Sequence, residues 1–236
     1  MDSLRETSAG TRCGGIVTHF AGDTAIGCSL SGDQKSLPER LQTLSSIANA
    51  IRTSSIHGLD DVVVSPDRVT VIYDPLLIDC LDTLQSNVTA LATQQRSLST
   101  AGRLHHVPVW YGKETGADFD AVCRHHAIDA KTLIHLHTKP DYLVTAIGFV
   151  PGFPYLEGLP KRLETPRLAT PRRRVPVGSV GIGGSQTGVY PFETPGGWHL
   201  IGRTDATFFD PMSLSPALLQ PGDRVHFYEP NHPNIQ

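Results

Sequence analysis

The sequence predicts an α+β domain followed by a mostly-β barrel domain. Three observations predict it. Two amphipathic helical patterns lie among short β-prone runs in the first hundred residues, whereas fifteen of the eighteen prolines come after residue 100. The runs beyond that point are short, β-prone and bounded by glycine and proline, as in a closed or nearly closed barrel. At 236 residues the chain can hold one or two cores.

The elements follow in order. GIVTHF and TAIGCSL are β-prone and separated by Ala21-Gly22-Asp23, a turn signal, so two strands are expected. Leu37, Leu41, Leu44, Ile47, Ala48 and Ile51 recur at helical spacing behind Ser36 and Glu39, an S-x-x-E capping box. Residues 59–65 and 69–73, split by Ser65-Pro66-Asp67-Arg68, read as a hairpin. Leu77, Cys80, Leu81, Leu84, Val88 and Leu91 mark a second amphipathic helix. Strand, helix, strand, strand, helix suits an α+β sandwich of ferredoxin-like type, with helices on one face of an antiparallel sheet.

At 94–102 the pattern lapses into small polar residues, and proline and glycine then become dense. The expected division is a disordered N-terminus over 1–14, an α+β domain over 15–95, a linker over 96–106, a barrel over 107–230 and a tail over 231–236. Short helices open at Asp118 and Asp129, carrying Phe119, Val122 and Cys123, then Leu133, Ile134 and His137. Residues 143–149, 178–182, 198–203 and 224–228 read as strands.

Composition narrows the function classes. With 39% hydrophobic residues, 18% charged residues and a net charge of −3, the chain is globular and carries no global basic field for nucleic acid. No run approaches the roughly 20 apolar residues of a membrane span. The polar start MDSLRETSAGTRCGG is unlike a signal peptide, so the cytoplasm is the default expectation. Cys13, Cys28, Cys80 and Cys123 form no CxxC pair and are expected as ordinary thiols, the last two on apolar helix faces.

Sharp catalytic patterns do not fit. GIGGSQTG, residues 181–188, lacks the GK[ST] of a phosphate-binding loop, and GGSQT has Thr187 where a nucleophile elbow needs glycine. Its glycines admit two readings: a barrel corner, the commoner case, or a strand end that another backbone, or a ligand, approaches closely, with Ser185, Gln186 and Thr187 offering hydrogen bonds. His125, His126, His135 and His137 make no H-x-x-x-H pair, so no metal is expected. Lys161, Arg162, Arg167, Arg172, Arg173 and Arg174 crowd a stretch broken by prolines 160, 166, 171 and 176. This reads as a stiff extended loop that presents guanidinium groups to an anion, or as a solvated or partner-facing one. In GFVPGFPYLEGLP, residues 148–160, prolines stiffen the chain while Phe149, Phe153 and Tyr155 supply flat surface; the stretch suits the wall of a concave site or a lid over the barrel end.

The run from GFVPGFPYLEGLP through RTDATFFDP closely resembles the signature of the KipI/PxpB family, also called allophanate hydrolase subunit 1. Phe149, Pro151, Gly152, Phe153, Pro154 and Tyr155 match its PGFPYL segment, and Arg167, Pro171, Arg172, Val175 and Pro176 its PR-x-x-x-PR-x-x-VP segment. Ser179, Gly181, Gln186, Thr187, Gly188, Tyr190 and Pro191 match GSVGI and QTG-x-YP, and Gly196, Gly197, Trp198, Gly202, Arg203 and Thr204 match GGW-x-x-IGRT. Gly183 stands where alanine is common in relatives.

The resemblance implies an α+β domain followed by a cyclophilin-like barrel. It also implies work within an ATP-dependent 5-oxoprolinase that opens 5-oxoproline to L-glutamate, where a chain of this type acts with a KipA/PxpC-type subunit (allophanate hydrolase subunit 2) and a PxpA-type subunit. ATP is then expected at the level of the complex, with no metal or biotin on this chain, no nucleic acid and no membrane. The substrate-binding or interface residues implied are Phe149, Pro151, Gly152, Phe153, Tyr155, Arg172, Ser179, Gly181, Gln186, Thr187, Tyr190 and Arg203. Two alternatives share the fold: carboxyl transfer in a biotin-dependent urea carboxylase or allophanate-type system, and inhibition of a sporulation histidine kinase.

Overall fold

The computed structural model describes residues 10–32, 36–95, 102–112 and 114–230. They fall into two compact units divided between Ala101 and Gly102. The chain is mostly β with few helices. Among the described residues no helix is long and apolar enough to cross a membrane. Residues 1–9, most of the expected disordered N-terminus, and the expected tail lie outside the described residues.

In the first unit the strands β1 (Thr11–Cys13), β2 (Ile16–Phe20), β3 (Ala25–Leu30), β4 (Leu59–Val64) and β5 (Arg68–Tyr73) form an antiparallel sheet in the order β1-β2-β3-β5-β4. Period-two alternation turns Ile16, Ile26, Cys28, Val62, Val64, Val69, Val71 and Tyr73 to one face. Helix α1 (Leu37–Arg52) covers that face with Leu44, Ile47, Ala48 and Ile51, and α2 (Leu81–Gln95) with Leu84, Val88 and Ala92. Each large apolar side chain among them contributes about 1.5–3 kcal/mol on burial. The capping box forms as expected: the Ser36 N–H and hydroxyl both donate to Glu39, at 3.0 and 2.8 Å. Thr18, the polar member of the buried face, is satisfied by the Thr89 hydroxyl at 2.9 Å.

Two expectations need correction here. The second helix begins at Leu81, not near Leu77, because Asp74 holds the preceding chain in a turn; its carboxylate accepts the Leu76 N–H and its carbonyl the Leu77 N–H. Cys80, Leu77 and Leu81 are therefore exposed and outside the apolar face. β1 occupies part of the stretch expected to be disordered, held by pairing to β2.

The second unit contains β6 (Leu104–Pro108), β7 (Trp110–Tyr111), α3 (Phe119–His126), α4 (Ala130–Thr138), β8 (Asp141–Ile147), β9 (Pro154–Glu157), β10 (Arg172–Val175), β11 (Ser179–Gly183), β12 (Gln186–Val189), β13 (Thr194–Gly196), β14 (His199–Arg203) and β15 (Arg224–Tyr228). Its main sheet has eight strands in the order β6-β15-β8-β9-β12-β11-β14-β7. The outermost strands, β6 and β7, are one length of chain interrupted at Val109, whose N–H donates to Tyr228. One bent segment thus pairs with both ends of the sheet, which is nearly closed. Leu104 to His106, expected as linker, belong to β6 and run parallel to β15; the two adjacent histidines hide the alternation. The basic run, expected as a loop, contains a 3-10 turn at Lys161–Leu163 and ends in β10, which pairs with β13 in a separate ribbon.

The barrel interior holds a polar chain. His137 is fully buried on α4; its Nδ1 lies 2.8 Å from the Tyr111 hydroxyl and its Nε2 2.9 Å from the Thr187 hydroxyl, which donates to the Gly181 carbonyl at 2.9 Å. Thr187 has one proton, so Nε2–H donates to Thr187 and Nδ1 accepts from Tyr111: every group is satisfied with a neutral ring. Burial pushes His137 down to about 3. The ring stacks on Phe227 at 5.0 Å, so His137 is a packed histidine.

Candidate functional site

The site begins with the turn that leaves β8. The Gly148 N–H donates to the Phe153 carbonyl and the Phe153 N–H to that of Val150, which throws the intervening residues outward. Phe149 takes a left-handed backbone, φ 70°, and is 59% exposed. A bulky residue held there at a cost of order 1–3 kcal/mol, with its ring in solvent, marks a place shaped for something other than stability. Gly152, φ 79°, seats the loop against the barrel: a Cβ on it would lie 2.7 Å from that of Phe209.

Phe149 is the rim of an aromatic cluster. It meets Phe153 edge to face at 5.5 Å; Phe153 meets Tyr190 at 5.1 Å and Trp198 at 5.4 Å, and Tyr155 meets Trp198 at 6.1 Å. The glycines of β11 and β12 make room for the indole. A Cβ on Gly183 would stand 2.5 Å from the Trp198 ring and one on Gly188 3.1 Å from it, and the Cβ of Trp198 itself rests above Gly181. The corner reading of GIGGSQTG holds, since Gly184, φ 65°, turns the β11–β12 hairpin. A backbone does approach Gly188, where a Cβ would lie 2.6 Å from the Pro154 carbonyl oxygen, whereas at Gly181 and Gly183 the approaching group is the Trp198 side chain.

These rings enclose a cavity of about 290 Å³, walled by Phe149, Phe153, Tyr155, Tyr190 and Trp198 and floored by Gly196 and Gly197. Arg167 is the one charged residue lining it; its guanidinium carbon sits 5.9 Å from the centre of the Trp198 ring. No carboxylate pairs with Arg167 among the described residues. A second cavity, about 370 Å³, lies on the other side of Tyr190 and is lined by Trp110, Gly178, Arg203, Asp205 and Phe208. Burial raises the Tyr190 phenol, and its oxygen accepts the Trp198 backbone N–H. The shared wall is a neutral ring.

Residues 16–219 match the family described as Carboxyltransferase domain, subdomain C and D. The chain belongs to this family. It is 39% identical over 216 residues to the B subunit of 5-oxoprolinase from Escherichia coli O157:H7, covering 89% of this chain and 94% of that one. It is 42% identical over 205 residues to the B subunit of 5-oxoprolinase from Haemophilus influenzae, covering 87% and 93%. These relatives bear out the KipI/PxpB resemblance. Among solved structures, TTHA0988 matches with a TM-score of 0.74 at 33% identity; the match covers 90% of this chain and 41% of that longer one. Kluyveromyces lactis urea carboxylase shares the fold alone, at 19% identity and a TM-score of 0.61, covering 92% of this chain and 22% of that one.

The family's signature residues divide between several places. Phe149, Phe153, Tyr155 and Tyr190 come together at the aromatic cavity, and Arg203 lines the second one, its Nε–H donating to the Val177 carbonyl at 3.0 Å. Ser179, Gly181 and Thr187 are buried in the barrel wall, Gln186 sits at the hairpin end, and Pro151 and Gly152 shape the loop. Arg172 lines neither cavity. It donates to the Asp118 carboxylate at 2.5 Å and reaches the Trp198 carbonyl at 3.5 Å, while the other Asp118 oxygen accepts the Leu200 N–H at 2.7 Å. Asp118, read from sequence as a helix opener, does precede α3, yet its side chain joins β10 to β14.

Arg167 and Trp198 are absent from the site residues that the sequence implies, although both stand in the signature. The signal for Trp198 is the glycine-rich run that accommodates it. For Arg167 the signal is diluted, because six cations in one run look alike until their partners are known. Arg174, its near neighbour, is engaged in a two-pronged pair with Glu193, at 3.0 and 2.8 Å.

Proposed function

We propose that this chain is the B-type component of an ATP-dependent 5-oxoprolinase, which opens 5-oxoproline to L-glutamate in complex with A- and C-type subunits in the cytoplasm. The observation that carries this reading is identity of 39% and 42% along nearly the whole length of two proteins of that kind. On it, the first unit is a ferredoxin-like sandwich and the second a cyclophilin-like barrel, and activity belongs to the assembled complex, where ATP is bound. The chemistry favours such a division. An unstrained lactam is a poor electrophile; phosphorylating its amide oxygen activates the carbonyl carbon, and water adds to that carbon. The C–N bond breaks with the ring nitrogen leaving as the amine, and a second water displaces phosphate from the resulting acyl phosphate to give L-glutamate. This chain supplies a concave surface with aromatic walls, an ordinary feature of small-molecule sites.

The test is reconstitution. Co-purified with A- and C-type subunits, the chain is expected to support ADP release that depends on 5-oxoproline, and to show none alone. An intact complex whose ATP hydrolysis ignores 5-oxoproline would overturn the reading. The likeness to urea carboxylase is one of fold and carries no claim on substrate.

A further inference from the structure

The aromatic cavity has three properties whose combination narrows its occupant. It is small: about 290 Å³ sits at the lower end of ligand pockets. Its walls are the faces and edges of five rings, so flat apolar surface is what it can cover. Its single charge is positive and uncompensated, since Arg167 lines the cavity without a carboxylate partner among the described residues.

The surroundings of Arg167 keep its donors available. The guanidinium carbon lies over the Trp198 ring at 5.9 Å, a contact that engages no N–H group, and among the described residues those N–H groups have no carboxylate partner and can fork onto two oxygens. Nearby arginines contrast with it: Arg172 is bound to Asp118, Arg174 to Glu193, and Arg203 donates to the Val177 carbonyl. The Tyr155 phenol, on the same wall, likewise has no hydrogen-bond partner among the described residues, because only its backbone carbonyl is engaged, by Thr145. The strained Phe149 places an exposed ring at the rim.

We propose that this cavity binds a small, flat ring bearing a carboxylate, with Arg167 taking the carboxylate and the aromatic walls taking the ring. On the function proposed above, on which this identification rests, the ligand is 5-oxoproline, a five-membered lactam with one carboxylate. Tyr155 then offers its hydroxyl to the ring's amide. The cavity thus holds substrate on this chain, leaving the phosphate donor to be brought from elsewhere in the complex.

The experiment pairs two ligands with one side chain. Affinities of 5-oxoproline and of pyrrolidin-2-one, the same lactam without its carboxylate, are measured by titration calorimetry on the full chain alone and on its complex with the partner subunits. Arg167→Ala is expected to weaken 5-oxoproline by about tenfold to a hundredfold, the range of a lost charge-assisted pair, and pyrrolidin-2-one by less than about threefold. Arg167→Lys is expected to recover part of the loss, and Arg174→Ala to leave both affinities unchanged. Equal weakening of both ligands, or of neither, overturns the proposal. So does an Arg167→Ala variant that loosens the complex while binding 5-oxoproline normally, which would make the cavity a partner's socket. The two readings fail separately. A complex with 5-oxoproline-dependent ATP hydrolysis whose KM ignores Arg167→Ala sinks the cavity assignment alone, whereas Arg167-dependent binding of 5-oxoproline without dependent ATP hydrolysis sinks the proposed function alone.

Discussion

The interior of the barrel and its mouth draw on the same signature segments and use them in opposite ways. Inside, the side chains of Thr187, His137 and Tyr111 are satisfied by one another and by the Gly181 carbonyl, and at the ribbon beside the barrel Arg172 and Asp118 close their charges onto each other and onto the β14 backbone. At the mouth, the Arg167 guanidinium and the Tyr155 hydroxyl have no hydrogen-bond partner among the described residues, and Phe149 sits exposed on a strained backbone. Buried polar groups left unpaired are costly, so the interior must be self-satisfied. Exposed groups left unpaired cost little, and that is where recognition can be placed. Membership of a signature therefore does not tell a binding residue from a structural one; the partner each group has already found does.

The largest effect is expected where the Arg172–Asp118 pair is broken. Asp118→Ala leaves the Leu200 N–H unsatisfied and Arg172 without its anion, and should destabilise the second unit by about 3 kcal/mol. Arg172→Ala should act in the same direction. Chemical denaturation measures both. If Arg172→Ala instead left stability intact and raised KM for 5-oxoproline, the division drawn between the two arginines would fail.

Gly183→Ala tests the join between the two regions. Its Cβ would meet the rigid indole at 2.5 Å, so the ring must shift, at a cost of about 1–3 kcal/mol. Trp198 fluorescence should change and ligand affinity fall together. An unaltered emission spectrum in the variant would show that the glycine bed does not position the ring.

The interior also predicts a pH response. His137 is held near 3 when folded and titrates near its ordinary value of about 6.5 when unfolded. The unfolded state binds the extra proton, so stability from this group is complete above about pH 6.5 and declines below it, with a slope approaching about 1.4 kcal/mol per pH unit until the folded value is passed. Denaturation midpoints between pH 7 and pH 5 read this slope, and His137→Gln should flatten it. A wild-type curve that is already flat there would mean that the ring protonates in place, against the bonding pattern assigned to it.

How much of this is legible in the sequence depends on whether a residue's role is local. The capping box of Ser36 and Glu39, the buried face of α1 and the strand at Arg224–Tyr228 all follow from neighbours in sequence, and all form as read. The start of α2 departs from the periodicity because an Asp74 turn outcompetes helical spacing, and β9, β12 and β13 are three or four residues long, too short to show alternation. The signature marks the mouth of the barrel without separating Arg167 from Arg172. That distinction lies in Asp118, 54 residues upstream of Arg172, and no spacing rule connects them.

The smallest expected effect falls on Phe149, and it separates strain from packing. Asparagine tolerates the left-handed backbone better than phenylalanine, so Phe149→Asn relieves strain that the wild type carries at φ 70°. It also removes an exposed ring whose edge-to-face meetings with Phe153 and Tyr190 are worth about 0.5–1.5 kcal/mol each at best. The two terms oppose each other, so thermal stability should move by less than about 1 kcal/mol. Affinity for a flat ligand has no such compensation, because the rim of the cavity is lost, and it should fall about threefold to tenfold, by the value of one aromatic contact. Titration and melting on the same variant give both numbers. A variant that loses stability but keeps its affinity would make Phe149 an ordinary part of the aromatic cluster and return the mouth of the barrel to the same account as its interior.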